Sequence, residues 1–113
     1  KLLMDNLPQR IKQPDRLWFA LAAYNIGVGH LEDARILTQK AGANPDSWLD
    51  VRQYLPFLAK PEWHKQTRHG YARGYEPVAY VNRVRGYYEI LRWADRQRNQ
   101  PNNILDHIDL PAL

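Results

Sequence analysis

The sequence contains no cysteine, and it has no uninterrupted apolar run long enough to cross a membrane. Without cysteine, disulfides and thiolate chemistry are excluded. A transmembrane helix needs about 20 apolar residues, so no segment predicts one, and none resembles a signal peptide. The lack of cysteine does not decide the compartment, because cytosolic and periplasmic proteins can both do without it.

Several common catalytic signatures are also missing. The sequence has no glycine-rich phosphate loop and no nucleophile elbow. Its histidines show no pairing at i and i+4 with a carboxylate in the intervening turn, the pattern of a helical zinc site; they are His30, His64, His69 and His107. We therefore do not expect a metal site.

The length of 113 residues, of which 44% are hydrophobic, suits one small globular domain or a piece of a larger one. The opening "KLLMDNL" is apolar with no capping residue ahead of it, which favours a piece. A formal charge of +4 favours an anionic partner, such as nucleic acid, a lipid surface or an acidic cell-wall polymer.

Helical periodicity dominates, and no alternating run is long enough for a convincing strand. We predict an all-α fold with about four to six helices, near residues 2–7, 15–26, 29–40, 47–54 and 76–96. Asp15 is a predicted N-cap, Asp46 or Ser47 another, and Gly27 and Gly42 are predicted to end helices. Residues 1–97 are assigned to the domain and residues 98–113 to a tail or linker.

Helical spacing also predicts which side chains are buried. The expected inward stripes are Leu31, Ala34, Leu37 and Ala41; Trp48, Val51 and Leu55; and Val81, Val84, Tyr88 and Leu91. Residues 59–75 lack a clear period, so we predict a long ordered loop after Pro56. Loops of that length in compact domains are often functional.

Two groups of polar residues are not accounted for by packing. Tyr24 and Asn25 stand side by side in the last helical turn before Gly27, although the amide of Asn25 could simply bond its own backbone. On the final helix a second stripe carries Glu76, Tyr80, Arg83 and Tyr87, a pattern that, taken alone, is more typical of a solvated face with an ion pair. Five of the seven tyrosines lie between residues 71 and 88, and tyrosine suits stacking and hydrogen bonding to sugars.

The two groups carry a family resemblance. "AYNIG", residues 23–27, resembles the Ala-Tyr-Asn-x-Gly motif of the lytic transglycosylases. "EPVAYVNRV", residues 76–84, resembles their later Glu-Thr-x-x-Tyr-Val-x-x-Val motif, with Pro77 where the family usually has threonine. The motifs lie in the family's order, and the resemblance covers roughly residues 1–95.

The resemblance implies a lysozyme-like α-helical domain that cleaves the β-1,4 bond between N-acetylmuramic acid and N-acetylglucosamine in peptidoglycan. One glutamic acid then serves as acid and base, and a 1,6-anhydromuramyl product forms without metal or cofactor. In the family this glutamate belongs to a Glu-Ser motif upstream of Ala-Tyr-Asn. None of the four glutamates here is followed by serine, so we expect the C-terminal part of the domain, inactive on its own.

The resemblance also assigns roles to residues. Tyr24, Asn25 and Gly27 are expected to bind substrate, with Tyr24 holding the turn in the core and Gly27 letting the backbone pass close to the sugar. Tyr80 is expected to orient the catalytic carboxyl group, and Glu76 to assist as a second acidic group. The expected partner is peptidoglycan rather than nucleic acid. The expected location is the bacterial periplasm or the inner face of the outer membrane, with membrane attachment through a region outside these residues.

Two other functions remain open on the sequence. The basic segment 60–73, with Trp63, Tyr71 and Tyr75, is compatible with a non-catalytic helical module that binds nucleic acid, although no recognition motif is present. The second open function is that of an inactive lysozyme-like scaffold that docks to a protein partner.

Overall fold

The structure is a computed structural model that describes residues 7–99. It contains five α-helices and one 3₁₀ helix: α1 (Asp15–Ile26), α2 (Val28–Lys40), α3 (Trp48–Tyr54), the 3₁₀ helix (Leu55–Ala59), α4 (Pro61–His64) and α5 (Tyr75–Arg98). Within residues 7–99 there is no β-strand, so the predicted all-α fold is confirmed. The predicted helix at 2–7 and the predicted tail lie almost entirely outside the described residues.

The chain divides into two compact units, one ending at Val81 and the other beginning at Asn82. Helix α5 starts in the first unit and continues into the second. All the candidate site residues predicted from the sequence belong to the first unit.

The core of the first unit is formed where α1, α2 and α3 pack against one another. The rings of Phe19 and Trp48 meet edge to face, with centroids 5.8 Å apart. The inward stripes predicted for α2 and α3 are confirmed except at Ala41, which lies beyond the end of α2 and is exposed. The fully or nearly fully buried side chains include Phe19, Ala22, Leu31, Ala34, Leu37, Trp48, Val51, Leu55 and Leu58.

The start of α1 differs from the prediction, because Asp15 does not cap the helix. Pro14 takes the N-cap position, and the Gln13 side-chain oxygen accepts the Leu17 backbone N–H at 3.1 Å. The Asp15 carboxylate instead accepts the backbone N–H of Trp48, at 3.1 Å. Asp15 therefore links the start of α1 to the start of α3.

The predicted caps of the next two helices are confirmed. After α2, Gly42 adopts a φ of +87°, and the Ala43 N–H donates to the Thr38 carbonyl at 3.1 Å. At the start of α3, the Ser47 hydroxyl accepts the Asp50 N–H at 3.4 Å. Both arrangements pair backbone groups that a helix end leaves open.

The segment predicted as one long loop, residues 59–75, contains the single turn of α4. Pro56 does not stop the helical path, because the chain continues as the 3₁₀ helix with its proline in the first turn, where no donor is lost. The ring of Phe57 in that helix stacks on the ring of Trp63 in α4, with centroids 4.7 Å apart and planes inclined by 18°. This aromatic contact folds the first part of the loop into helical turns.

Helix α5 begins at Tyr75, one residue before the predicted start, and Pro77 is its third residue. Val81 is buried as predicted, but Tyr88 and Leu91 are 40% and 45% exposed, so their predicted burial is wrong. Helical period identifies which residues share a face, but it does not say whether another element covers that face. Across residues 7–99, no helix combines the length and the apolar character needed to span a bilayer.

Candidate functional site

A single glycine joins α1 to α2 at the first sequence motif. Gly27 has a φ of +99°, a conformation that residues with a Cβ atom rarely adopt. Its N–H donates to the Ala23 carbonyl at 2.8 Å, and its own carbonyl accepts the Leu31 N–H at 3.2 Å. The prediction that Gly27 ends the first helix is confirmed, and the same residue also starts the second.

Tyr24 lies on the outside of the last turn of α1 and is 75% exposed. The expectation that it holds the turn in the core is wrong. Ala22 and Ala23 occupy the buried side of that turn, at 0% and 5% exposure, and leave position 24 facing solvent. The phenol ring is therefore presented to solvent beside the glycine turn, where a flat ligand can stack on it.

Asn25 is also exposed, one residue further along. Its side chain makes no hydrogen bond with any residue in the range 7–99, so the alternative of an amide bonded to its own backbone does not hold in this structure. A carboxamide with both its donor and its acceptor exposed can pair with another amide, such as an N-acetyl group.

The second motif begins with an exposed carboxylate at the start of α5. The Glu76 side chain is 48% exposed, and its Oε2 lies 3.5 Å from Nη2 of Arg73. A solvated face with an ion pair is one of the two interpretations of this stripe. In the structure, Glu76 is paired with Arg73 in the preceding loop. The spacing of three residues between Arg73 and Glu76 is the signal that identifies this pair.

Arg73 is further held by Tyr75. Its Nε donates to the Tyr75 hydroxyl at 2.9 Å, and its guanidinium carbon lies 5.5 Å from the centre of that ring. The hydrogen bond to the Tyr75 hydroxyl, followed by the charge of Glu76, raises the pKa of Arg73 above its usual value. Arg73 is not among the site residues predicted from the sequence.

Tyr80 lies one helical turn after Glu76 and is partly buried. Its hydroxyl forms no hydrogen bond with the part of the chain that the structure describes, so it can donate to or accept from another group. Pro77, which stands where the family usually has threonine, is fully buried. The departure from the family motif therefore falls on the packed side of α5, while Glu76 is on the exposed side.

The segment between α4 and α5 is fixed by backbone contacts to other elements. The buried carboxylate of Asp33 on α2 accepts the N–H groups of Arg68 and His69, at 3.3 and 2.9 Å. Further along, the Ala72 N–H donates to the Leu58 carbonyl of the 3₁₀ helix at 3.1 Å.

Gly74 brings this segment into close contact with the 3₁₀ helix. A Cβ atom at Gly74 would lie 1.7 Å from the carbonyl oxygen of Leu55, so only glycine permits this approach. Neither Asp33 nor Gly74 is among the residues predicted from the sequence. The signal for Asp33 is an acidic residue four positions before the buried Leu37, on the packed side of α2.

The two motifs are not joined directly. Within residues 7–99, no hydrogen bond or ion pair connects Tyr24 or Asn25 with Glu76 or Tyr80. They are connected through α2, which follows the first motif, and through residues 67–74, which precede the second. The His69 ring lies directly over Gly29 on this path, since a Cβ atom at Gly29 would be 2.8 Å from its Nε2.

A second polar cluster lies on α2 and is not part of the predicted site. The buried guanidinium of Arg35 donates to Glu32 at 2.9 Å, to Asp46 at 2.7 Å and to the Pro45 carbonyl at 2.9 Å. Arg10 also donates to Asp46, and these hydrogen bonds hold the pKa of the Asp46 carboxyl below its usual value although burial opposes them. A cavity of about 200 Å³ adjoins the cluster, lined by Arg10, Glu32, Arg35, Ile36, Gln39 and Pro45.

Two of the histidines lie close together in the first unit. The rings of His30 and His69 approach each other, with centroids 6.0 Å apart. In the described part of the chain, no three residues among histidine, aspartate and glutamate come together as a metal site. The expectation of no metal and no cofactor stays a prediction.

Comparison with known proteins identifies close relatives. The chain is 61% identical over 93 residues to a protein of Saccharophagus degradans named "Membrane-bound lytic murein transglycosylase F", which is 82% of this chain and 19% of that protein. Proteins with the same name from Cellvibrio japonicus and Pseudomonas syringae are 54% and 53% identical, over 86% and 98% of this chain and 20% and 22% of their own lengths. No protein-family model matches the chain.

The resemblance inferred from the two motifs is thereby confirmed. The chain spans about a fifth of the length of the curated relatives that it matches. None of these relatives is named as a nucleic-acid-binding protein, so the comparisons give no support to the nucleic-acid alternative.

Proposed function

We propose that the chain is part of a peptidoglycan lytic transglycosylase and forms one wall of its glycan-binding groove. The observation that carries this proposal is the α1–α2 turn, where Tyr24 and the unbonded amide of Asn25 are both exposed beside Gly27. The identity of 61% to a protein named as a lytic transglycosylase, over 82% of the chain, supports it independently.

The proposed reaction needs one glutamic acid, which is expected outside these residues. This acid donates its proton to the oxygen that links the two sugars, and the bond from that oxygen to C1 of the muramyl residue breaks. The same group, now a carboxylate, accepts the proton of the C6 hydroxyl as O6 bonds to C1. Because the nucleophile belongs to the substrate, the second carboxylate of ordinary glycosidases is not needed.

The residues of this chain bind and orient within that scheme. Tyr24 stacks on a sugar ring, and the Asn25 amide pairs with an N-acetyl group or with the catalytic carboxyl group. The Tyr80 hydroxyl donates to that carboxyl group and fixes its orientation. Glu76, ion-paired with Arg73 at 3.5 Å, is an auxiliary acidic group that faces solvent.

The proposed function implies a location in the cell. A peptidoglycan-cleaving enzyme acts in the cell envelope, so we place the protein in the bacterial periplasm or on the inner face of the outer membrane. As part of this proposal, membrane attachment is assigned to a region outside the described residues.

The proposal is tested by incubating the full-length protein with intact sacculi and analysing the products by mass spectrometry. We expect 1,6-anhydromuropeptides, which no hydrolase forms. Products that end in a reducing muramic acid, or no products at all while the protein is folded, would contradict the proposal. Addition of EDTA is expected to leave the rate unchanged, since the scheme requires no metal.

A further inference from the structure

Asp33 is a buried carboxylate whose partners are backbone groups of a distant segment. It lies on α2 and is 2% exposed. One carboxylate oxygen accepts the N–H of Arg68 at 3.3 Å, and the other accepts the N–H of His69 at 2.9 Å. A buried carboxylate needs such donors, because an unpaired one would lose its hydration without compensation.

The position of Asp33 on α2 relates it to the first motif. Helix α2 begins directly after Gly27, and Asp33 is in the second turn of that helix. Gly29, one turn earlier on the same side, touches the ring of His69. The segment that Asp33 binds therefore lies along the first two turns of the helix that follows Tyr24 and Asn25.

The same segment leads into the second motif. From His69 the chain runs to Ala72, whose N–H is bonded to Leu58, and to Gly74, which contacts the Leu55 carbonyl; α5 begins at the next residue. Only five residues separate His69 from Tyr75. Because this stretch is short, the position of residues 68 and 69, together with the contacts of Ala72 and Gly74, constrains where α5 begins.

We propose that Asp33 is a positioning residue for the transglycosylase reaction: it sets where the first two turns of α5, with Glu76 and Tyr80, stand relative to Asn25. This inference rests on the proposed function. Asp33 acts through the backbone of residues 67–74 and does not touch the substrate. Misplacing a catalytic group by about 1 Å can reduce the rate by about 10²-fold, so an effect on turnover is expected without any change in the polar groups of the site.

The test compares Asp33→Asn and Asp33→Ala in the full-length protein. Asparagine keeps one acceptor oxygen and alanine keeps none, so we expect kcat on soluble glycan fragments to fall in the order Asp, Asn, Ala, by about 10-fold or more for alanine. The KM is expected to change less than about threefold. Hydrogen exchange is expected to accelerate at the amides of residues 68 and 69 and also at residues 76, 78, 79 and 80.

Asp15→Ala is the matched control, because Asp15 also joins two elements by accepting a backbone N–H 33 residues away. It is expected to lower the melting temperature and to leave kcat within about twofold. If Asp33→Ala does not fold, Asp33→Asn alone decides. Unchanged kcat in Asp33→Asn, or faster exchange at 68 and 69 with none at 76–80, would overturn the positioning role.

Failure of the proposed function is distinguishable from failure of this inference. If the unaltered full-length protein forms no anhydro product, the proposed function fails, and the exchange measurement still decides whether Asp33 controls the first two turns of α5. If the unaltered protein is active and the Asp33 variants behave like Asp15→Ala, with a lower melting temperature and nearly unchanged kcat, the proposed function stands and the positioning role is wrong.

Discussion

At the scale of single residues, the sequence pattern predicted where the candidate site residues lie along the helices better than it predicted their exposure to solvent. Tyr24, Asn25 and Gly27 stand at a helix end, as the sequence indicated, because a glycine with positive φ stops α1. The predicted burial of Tyr24 is wrong, because the small side chains of Ala22 and Ala23 are enough to fill the packed side of that turn. A tyrosine at the margin of an apolar stripe can face either way, and only its neighbours decide.

The exposure of Tyr24 gives a prediction that separates stability from binding. Tyr24→Ala is expected to change the free energy of unfolding by less than about 0.5 kcal/mol, as for other exposed positions. Binding of the full-length protein to sacculi is expected to weaken about 5- to 10-fold, because a stacking surface is lost. Pelleting assays and thermal melts on the same preparation check both values. A large loss of stability with unchanged binding would contradict the placement of Tyr24 in the groove.

The two unbonded polar groups give a second prediction. Asn25→Ala and Tyr80→Phe, in the full-length protein, are expected to lower kcat by about 10²-fold each while leaving the melting temperature within about 2 °C, since neither side chain forms a hydrogen bond within residues 7–99. Release of anhydromuropeptides is the measurement. Tyr54→Phe is the control, because Tyr54 is also partly buried and its ring lies against Phe57 outside the proposed groove. Full activity in both site variants would remove these residues from the site.

At the scale of elements, local signals predicted the helices and missed the contacts between distant segments. The caps at Ser47 and Gly42 follow from residue type alone, since each side chain or conformation acts within its own turn. The links from Asp33 to residues 68 and 69, and from Asp15 to Trp48, join positions more than 30 residues apart. No periodicity within one helix encodes such pairs, so these parts of the site could not be predicted.

The close approach of Gly74 to the 3₁₀ helix gives a prediction for one element contact. Gly74→Ala is expected to destabilise the protein by about 3 kcal/mol, the upper part of the range for overpacking, because the obstacle is backbone and cannot rotate away. Gly86→Ala is the matched control, since nothing lies within 4 Å of its Cβ position inside α5, and it is expected to stabilise by about 0.5–1 kcal/mol. Urea denaturation measures both. Equal effects of the two substitutions would show that the approach at Gly74 is not tight.

The Asp46 cluster gives a prediction of pH dependence. Hydrogen bonds from Arg10 and Arg35 lower the pKa of Asp46, so the folded state binds a proton there less readily than the unfolded state, whose value is about 3.9. The stabilisation is therefore complete above that value and is lost as the pH falls through the lower folded value. Asp46→Asn is expected to lower the melting temperature at pH 7, and the gap to the unaltered protein should narrow below about pH 4. A gap that stays constant from pH 7 to pH 2 would contradict this.

At the scale of the whole molecule, the fold class and the proposed activity come from different sources. The all-α fold follows from helical period and is seen in the described residues. The activity cannot follow from the fold, because one scaffold carries many functions; it depends on two short motifs and on relatives of which the chain covers only a fifth. Fold and activity come from different sources for a physical reason. The proposed reaction depends on one general acid, and the packing of these helices does not depend on the identity of a single side chain outside them.

The last prediction is that the 113-residue chain alone does not cleave peptidoglycan, in contrast to the activity proposed for the full-length protein. The reaction needs a carboxylic acid held in partly apolar surroundings within hydrogen-bond reach of the linking oxygen. Among the glutamates, only Glu76 belongs to a site motif, but it is exposed, is ion-paired with Arg73 and lies in the first turn of α5, where the helix dipole stabilises a negative charge. General acid catalysis contributes about 10²–10⁴-fold, so its loss should leave product near the buffer level. The measurement is mass spectrometry of sacculi incubated with the chain. Anhydromuropeptides well above the buffer control, abolished by Glu76→Gln, would instead identify Glu76 as the acid.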